Sequence, residues 1–311
     1  MWFVPVAICS VGDWSQEGKL HMTYDVEKEA VSIWAEGSRL AAVMMHPRGT
    51  DGSRPGILLC HGWGGLKEHL IQLYAETFVA AGYACLVFDY RGWGESDGRL
   101  ISTANTPSLT TAGEVVLPVR VLREVVDPLD QIADIRACLA YLASEPGVDP
   151  ERIGLWGSSY GGGHVTFVAG TDPRIKALVA QIGGYGHPRE NWYRDLAYQR
   201  MADKARARID PPVPQGVDTS PGLRGTPDLA RQFGHSPLLG AEGIRAPSLF
   251  IDAEFEEYNE AALQGGAAYE IVKANGVICD RITFPCTHYQ VYDKHLVPAR
   301  QAALDWFENH L

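Results

Sequence analysis

The chain has 311 residues, 46% of them hydrophobic and 21% charged, which is enough apolar material for one large core or a core with a smaller cap. Its 27 Lys and Arg residues against 38 Asp and Glu residues give a formal net charge of −11, and such a surface repels phosphate backbones and anionic lipid. The composition excludes a disordered chain or a mini-protein. It also argues against nucleic-acid and membrane partners.

The amino-terminal segment and the cysteines indicate a soluble, cytoplasmic protein. Residues 1–9 are apolar but lack a basic region and include Pro5, which favours a strand or packed arm over a signal peptide. No apolar run approaches the roughly 18 residues that span a bilayer. The six cysteines form no CxxC pair, so the sequence predicts buried free thiols, with no zinc ribbon or redox dithiol.

In chain order, the sequence alternates between strand and helix patterns. Residues 26–45 alternate with period two around a turn at 36–39, which predicts an antiparallel hairpin. Short, continuous apolar runs then predict buried parallel strands at 56–60, 84–88, 153–156, 177–180, 249–251 and 278–284. Helical patterns lie between and after them, at 67–81, from Asp127 onward, and at 159–169, 260–274 and 295–310. The alternation predicts an α/β fold with a mostly parallel sheet.

Residues 185–243 interrupt this alternation between two predicted strands. The segment contains several aromatic residues and a Pro- and Gly-rich stretch at 211–227. We therefore expect it to be a cap over the carboxyl edge of the sheet, with residues 1–184 and 244–311 forming the core. Trp192 and Tyr193 are candidates for binding a flat aromatic or polyketide-like substrate, although these rings could equally form the core of the cap itself.

The segment Gly157-Ser158-Ser159-Tyr160-Gly161 follows an apolar strand and precedes a helix of small residues. A Gly-x-Ser-x-Gly sequence in this context is typical of a nucleophile elbow, where the chain turns sharply and exposes a serine hydroxyl. Ser159 has glycine two residues before and two residues after it, so it is the predicted nucleophile.

A serine nucleophile needs a base and a carboxylate that orients the base. His288 is the predicted base among ten histidines, because it follows the last strand and precedes the final helix. The carboxylate should follow the strand at 249–251. Glu256 leads among the candidates there, because it comes three residues after the small Ala253. The candidates are Asp252, Glu254, Glu256 and Glu257.

The segment Cys60-His61-Gly62-Trp63-Gly64-Gly65 follows another buried strand. Its small residues allow backbone amides to approach a substrate oxygen, and we expect the amides of Trp63 and Tyr160 to form an oxyanion hole. A phosphate-binding loop is the competing interpretation. It is disfavoured because neither a GK[ST] nor a GxGxxG motif is present.

The order of Ser159, an acid near residue 256 and His288, with the HGWGG loop, resembles the α/β-hydrolase superfamily. The segments 89–98 and 157–162 look like those of dienelactone-hydrolase-like esterases and the catalytic domains of X-Pro dipeptidyl-peptidases and cocaine-esterase-like acylases. The resemblance implies an eight-stranded sheet, a Ser-His-acid triad, no cofactor or metal, and a lid after the sixth strand. Two departures are a Glu where Asp is usual and the expected absence of the peptidases' jelly-roll domain.

The sequence therefore predicts a cofactor-independent serine hydrolase that cleaves the carboxylic ester or lactone of a small acyl substrate through an acyl-enzyme on Ser159. One alternative is a hydrolase of carbon–carbon bonds in β-diketones, or a thioesterase or acyltransferase. Another, disfavoured because nucleophile and base are both present, is a non-catalytic binding protein. A homodimer is possible on this sequence.

Overall fold

A computed structural model of the chain describes residues 23–49, 52–105, 107–108, 113–186, 190–206, 208, 223–259 and 263–311. Within these ranges the strands are β1 (Val26–Ala35), β2 (Ser38–Pro47), β3 (Arg54–Cys60), β4 (Ala84–Phe88), β5 (Leu100–Ser102), β6 (Val119–Val121), β7 (Val125–Val126), β8 (Val148–Ser158), β9 (Ile175–Gln181), β10 (Thr226–Pro227), β11 (Ser248–Phe255) and β12 (Cys279–Thr287).

Eight of these strands form one sheet in the order β1-β2-β4-β3-β8-β9-β11-β12. The predicted hairpin is present: β1 and β2 pair antiparallel and turn at Glu36 and Gly37, both of which have a positive φ. β2 pairs antiparallel with β4, and all later neighbours in the sheet are parallel. Because these strands are parallel, their carboxyl ends lie at the same edge of the sheet, and the loops that follow them meet there.

The helices flank this sheet. They are α1 (Lys67–Leu70), α2 (Glu76–Ala80), α3 (Pro128–Ser144), α4 (Tyr160–Ala169), α5 (Asn191–Ala205), α6 (Leu229–Phe233), α7 (Pro237–Ala241), α8 (Gly265–Ala274) and α9 (Leu296–His310). A π-helical turn, Ile71–Ala75, joins α1 to α2, so the predicted helix at 67–81 is present with one widened turn.

One predicted helix boundary was wrong. The pattern placed the start of a helix at residue 260, whereas α8 begins at Gly265; residues 260–262 lie outside the described ranges. The Gly265 amide donates a hydrogen bond of 3.0 Å to Asp252 Oδ1 at the end of the neighbouring strand. A side chain at 265 would meet that carboxylate at 2.4 Å, so this contact with β11 requires glycine at the first residue of α8.

Apolar side chains cover both faces of the sheet, as the uninterrupted hydrophobic strands predict. All five residues of β4 are buried, and separate clusters form above and below the sheet around Phe88 and Trp156. Burial raises the pKa of the Cys60 and Cys85 thiols, which is typical of unreactive structural cysteines. None of the described helices has the length and apolar character needed to cross a membrane.

Asp89 and Arg91, just after β4, have structural partners. Asp89 accepts hydrogen bonds from the backbone amide (2.9 Å) and the ammonium (2.8 Å) of Lys67. Glu68 and Glu95 also pair with this ammonium, so the three carboxylates that converge here already surround a cation. Arg91 contacts Asp134 on α3 through its backbone amide at 2.9 Å and through its guanidinium at 2.6 and 2.8 Å.

Replacing Asp134 with Ala should lower the free energy of unfolding by about 3 kcal/mol, because the substitution leaves the buried Arg91 guanidinium without its main counter-charge. The side chain of Asp134 is fully buried and that of Arg91 is 6% exposed. Glu36 and Asp130 also lie near the Arg91 guanidinium, so they offset part of the lost charge interaction. Urea unfolding followed by circular dichroism measures the change.

Glu76→Ala is the matched control, because Glu76 pairs with Lys28 on the surface, where the side chains are 45% and 42% exposed. Exposed pairs contribute less than about 1 kcal/mol, so this variant should unfold almost as the parent does. Equal losses for the two variants would contradict the structural role given to the Arg91–Asp134 pair.

Candidate functional site

Ser159 lies in a sharp turn between β8 and α4. Its φ of 56° and ψ of −128° are outside the regions that residues with side chains usually adopt. The Ser159 amide donates to the Gln181 carbonyl of β9 at 2.9 Å, which anchors the strained residue to the sheet. This conformation is that of the predicted elbow, with the hydroxyl at the carboxyl edge of the sheet.

The glycines around Ser159 are required by close packing of strand, turn and helix. A Cβ at Gly157 would lie 2.6 Å from the Gly161 carbonyl oxygen, and one at Gly161 would lie 2.4 Å from the His61 carbonyl oxygen. Gly62, in the loop after β3, is equally constrained, since a Cβ there would lie 2.7 Å from Ser159 Cβ. Glycine at these positions therefore lets the loop after β3 touch the elbow.

Ser159, His288 and Glu256 form a continuous hydrogen-bonded chain. Ser159 Oγ lies 2.9 Å from His288 Nε2, and His288 Nδ1 lies 2.8 and 3.0 Å from the two carboxylate oxygens of Glu256. The side chains of His288 and Glu256 are 5% and 2% exposed. With Nδ1 donating to the carboxylate, Nε2 is the nitrogen that can accept the serine proton.

The other carboxylates of the cluster after β11 have different partners. Asp252 pairs with Arg281 at 2.7 Å, and Glu254 is exposed. Glu257 accepts a hydrogen bond of 2.8 Å from the His288 backbone amide. Of the four candidate acids, Glu256 is the one whose carboxylate contacts the imidazole.

Trp63, in the loop after β3, and Tyr160, the residue after Ser159, both line the cavity that Ser159 lines. Neither backbone amide makes a hydrogen bond with another residue in the described part of the chain. The Trp63 indole donates to the Arg224 carbonyl at 2.9 Å and meets the Tyr160 ring edge-on, with centroids 5.4 Å apart. The position of Trp63 therefore depends on the segment 223–228 that precedes α6.

A cavity of about 520 Å³ opens over Ser159 and His288. One part is apolar and aromatic, with walls from the helix after β3 and from the loops carrying the acid and the histidine. The other part is more polar and is formed by residues between β9 and β11. The apolar and aromatic walls are Leu70, Leu73, Tyr258, Tyr289 and Tyr292; the polar walls include Tyr193, Gln232 and His235.

The two aromatic residues predicted to bind substrate lie in different environments. Tyr193 is buried and lines the cavity; its hydroxyl donates to Gln232 Oε1 at 3.2 Å, and Gln232 Nε2 donates to the Tyr160 hydroxyl at 3.3 Å. Trp192 is 52% exposed and is not among the described residues that line the cavity. Neighbouring residues on α5 face different directions, so the structure does not bring Trp192 to the site.

Two other histidines lie near the elbow but are held neutral. Burial lowers the pKa of His61 to about 4, and its Nδ1 donates to the Gly62 carbonyl at 2.9 Å. Burial also lowers the pKa of His164, which bonds Gln131 at 3.1 Å. These rings contribute shape and hydrogen bonds, while His288 is the histidine in contact with Ser159.

Three tyrosines around His288 were not found from the sequence. The rings of Tyr258, Tyr289 and Tyr292 lie 5.0, 5.3 and 6.4 Å from the imidazole, measured between centroids. The sequence marks these tyrosines only by their closeness to the acid and the base. Tyr258 follows Glu256 by two residues, and the other two follow His288 in the 3₁₀ turn Tyr289–Tyr292.

Comparison with known proteins places these features in a family. The family model for X-Pro dipeptidyl-peptidase (S15 family) matches residues 36–206, more than half of the chain. The chain is 37% identical over 132 residues to the quorum-quenching protein AidA of Acinetobacter baumannii, covering 42% of this chain and 36% of AidA. It is 32% identical over 130 residues to the thiohydrolase aneE of Aspergillus aculeatus, covering 42% and 34% of the two chains. The chain thus spans about a third of the length of these curated relatives.

Similarity in fold extends further than these sequence matches. The structure of DcsB in complex with its substrate analogue superposes with a TM-score of 0.71 and 21% sequence identity, covering 91% of this chain and 99% of that one. The eight-stranded, mostly parallel sheet with its flanking helices is the α/β-hydrolase fold. The chain therefore belongs to the X-Pro dipeptidyl-peptidase (S15) family of α/β hydrolases.

Proposed function

We propose that this protein is a serine hydrolase that cleaves a carboxylic ester or lactone through an acyl-enzyme on Ser159. The observation that carries the proposal is the buried chain from Ser159 Oγ through His288 to Glu256, with hydrogen bonds of 2.9 and 2.8 Å. Ser159 lines a cavity of about 520 Å³, which is large enough for a small-molecule acyl substrate.

Each residue has a distinct role in the proposed reaction. His288 Nε2 accepts the hydroxyl proton as Ser159 Oγ attacks the acyl carbon, and Glu256 stabilises the imidazolium that forms. The backbone amides of Trp63 and Tyr160 donate to the oxyanion of the tetrahedral intermediate. His288 then protonates the leaving oxygen, and the acyl group remains bonded to Ser159.

The second half of the reaction repeats the same proton movements with water. His288 removes a proton from a water molecule, whose oxygen attacks the acyl carbon. Collapse of the second intermediate releases the carboxylic acid and returns the proton to Ser159 Oγ. The chain's own groups and water supply every proton and bond in these steps.

Residues between β9 and β11 are proposed to hold the substrate as a cap. Tyr193 and Gln232 line the polar part of the cavity, and burial raises the pKa of the Tyr193 phenol, so its hydroxyl remains protonated. A protonated phenol and an amide can hydrogen-bond to a substrate oxygen.

A thioester is the second candidate substrate, and the relative named thiohydrolase aneE supports it. The steps are the same, with a thiol as the leaving group. A p-nitrophenyl ester and an N-acetylcysteamine thioester of one acyl chain distinguish the candidates. The higher kcat/KM identifies the preferred bond, and the proposal expects it for the oxygen ester.

Ser159→Ala should reduce kcat for p-nitrophenyl ester hydrolysis by on the order of 10⁴-fold or more, because the variant has no nucleophile to form the acyl-enzyme. It should also lose covalent labelling by a fluorophosphonate probe, detected by mass spectrometry of the intact protein. Ser144→Ala, at the exposed end of α3, is the matched control and should behave as the parent does. Undiminished turnover by folded Ser159→Ala would refute the assignment.

Glu256→Gln should lower kcat by about 10⁴-fold while the protein stays folded, because an amide does not stabilise the imidazolium and can impose the wrong tautomer on His288. Steady-state kinetics on the same ester measure the loss. Glu254→Gln is the control, since its exposed carboxylate lies two residues away in the same acidic segment. A large loss in Glu254→Gln with an active Glu256→Gln would exclude Glu256 as the triad acid.

A further inference from the structure

A buried chain of hydrogen bonds lies beside the Ser159 elbow. Tyr292 and Ser158 contact each other through their hydroxyls at 2.7 Å, and Gln181 Nε2 donates to Ser158 Oγ at 3.1 Å. The same amide nitrogen donates to the Tyr74 hydroxyl at 2.9 Å. Tyr74, Gln181 and Ser158 are between 0% and 2% exposed, so these bonds are shielded from competing water.

Three residues of this hydrogen-bonded chain are directly connected to the segments that carry the reacting groups. Ser158 directly precedes Ser159, and the Gln181 carbonyl accepts the hydrogen bond of the Ser159 amide at 2.9 Å. Tyr292 is the last residue of the 3₁₀ turn Tyr289–Tyr292, which directly follows His288. The Tyr292–Ser158 bond therefore joins the segment that carries the base to the segment that carries the nucleophile.

The donor directions in the chain are mutually consistent. The two protons of the Gln181 amide go to Tyr74 and to Ser158, so Ser158 Oγ acts as an acceptor from Gln181. The Ser158 proton is then available to the Tyr292 oxygen, and each buried hydroxyl has a partner.

The other hydrogen bonds of the turn that follows His288 connect it to parts of the structure other than the elbow. The His288 amide donates to Glu257 at 2.8 Å, which ties it to the acid loop, and the Thr287 amide donates to Gln290 within the turn itself. Among hydrogen bonds of the described residues, the Tyr292–Ser158 bond alone links this turn to the elbow, apart from the Ser159–His288 bond that the reaction must break and reform.

We propose that Tyr292 is a positioning residue, which acts through Ser158 to hold the His288 turn at the distance from the elbow that proton transfer from Ser159 requires. This inference rests on the proposed serine hydrolase function. A displacement of about 1 Å between reacting groups can cost on the order of 10²-fold in rate, so one buried hydroxyl can affect turnover without touching the reacting atoms.

Tyr292→Phe retains the ring and removes the bond to Ser158. We expect kcat for a p-nitrophenyl ester to fall at least tenfold while KM changes less than about threefold, because alignment for the chemical step is impaired and the walls of the cavity keep their shape. Tyr83→Phe is the matched control: this ring is also buried, but it packs against Phe307. Its kcat should equal that of the parent.

Ser158→Ala breaks the same bond from the other side, and the two substitutions form a double-mutant cycle. If Tyr292 acts through Ser158, the double variant is no slower than the slower single variant. The proposal is overturned if Tyr292→Phe keeps kcat within twofold of the parent, or if the two losses multiply. Should Tyr292→Phe fail to fold, Ser158→Ala decides: a tenfold loss in kcat supports the proposal and an unchanged kcat overturns it.

Ester hydrolysis and fluorophosphonate labelling of the parent protein distinguish failure of this inference from failure of the proposed function. A parent that hydrolyses the ester and is labelled at Ser159, with an equally fast Tyr292→Phe, overturns the positioning role alone. A parent that neither hydrolyses the ester nor is labelled by the fluorophosphonate overturns both.

Discussion

The strained backbone at Ser159 is the constraint on which the site depends. A residue with a side chain adopts a φ of 56° there because the surrounding structure compensates for the strain. Compensation comes from the hydrogen bond of its amide to β9 and from the close approach of the β3 loop at Gly62 and of α4 at Gly161. Trp63 and Tyr160, which follow these contacts in the chain, line the same cavity as Ser159.

Residues of the site belong to distant parts of the chain, and the parallel sheet brings them together. The loops after β3, β8, β11 and β12 meet at one edge, and they carry Trp63, Ser159, Glu256 and His288. Segment 223–228 reaches the same edge, where the Arg224 carbonyl accepts the bond from the Trp63 indole. The proposed cap and the proposed oxyanion donor are thus in contact through this bond.

Local patterns in the sequence predicted the fold well, because buried parallel strands and capped helices have characteristic periods. The same patterns singled out Ser159 and His288, which follow predicted strands. They did not decide which of four acids completes the triad. The register of β11 against β12 shifts between Ala253 and Phe255, and no local sequence pattern shows which carboxylate such a shift turns inward. Trp192 and Tyr193 are separated by about 100° on α5, so one points outward and the other lines the cavity. The role proposed for Tyr292 depends on a partner 134 residues away and has no counterpart in any sequence motif.

Ser159, His288 and the two loop amides are proposed to act together on one acyl group. A crystal structure of the protein after reaction with a fluorophosphonate tests this proposal most directly. We expect phosphorus bonded to Ser159 Oγ and one phosphoryl oxygen at about 2.7–3.1 Å from both the Trp63 and Tyr160 amide nitrogens. Phosphorus on another residue, or a phosphoryl oxygen directed away from both amides, would contradict it.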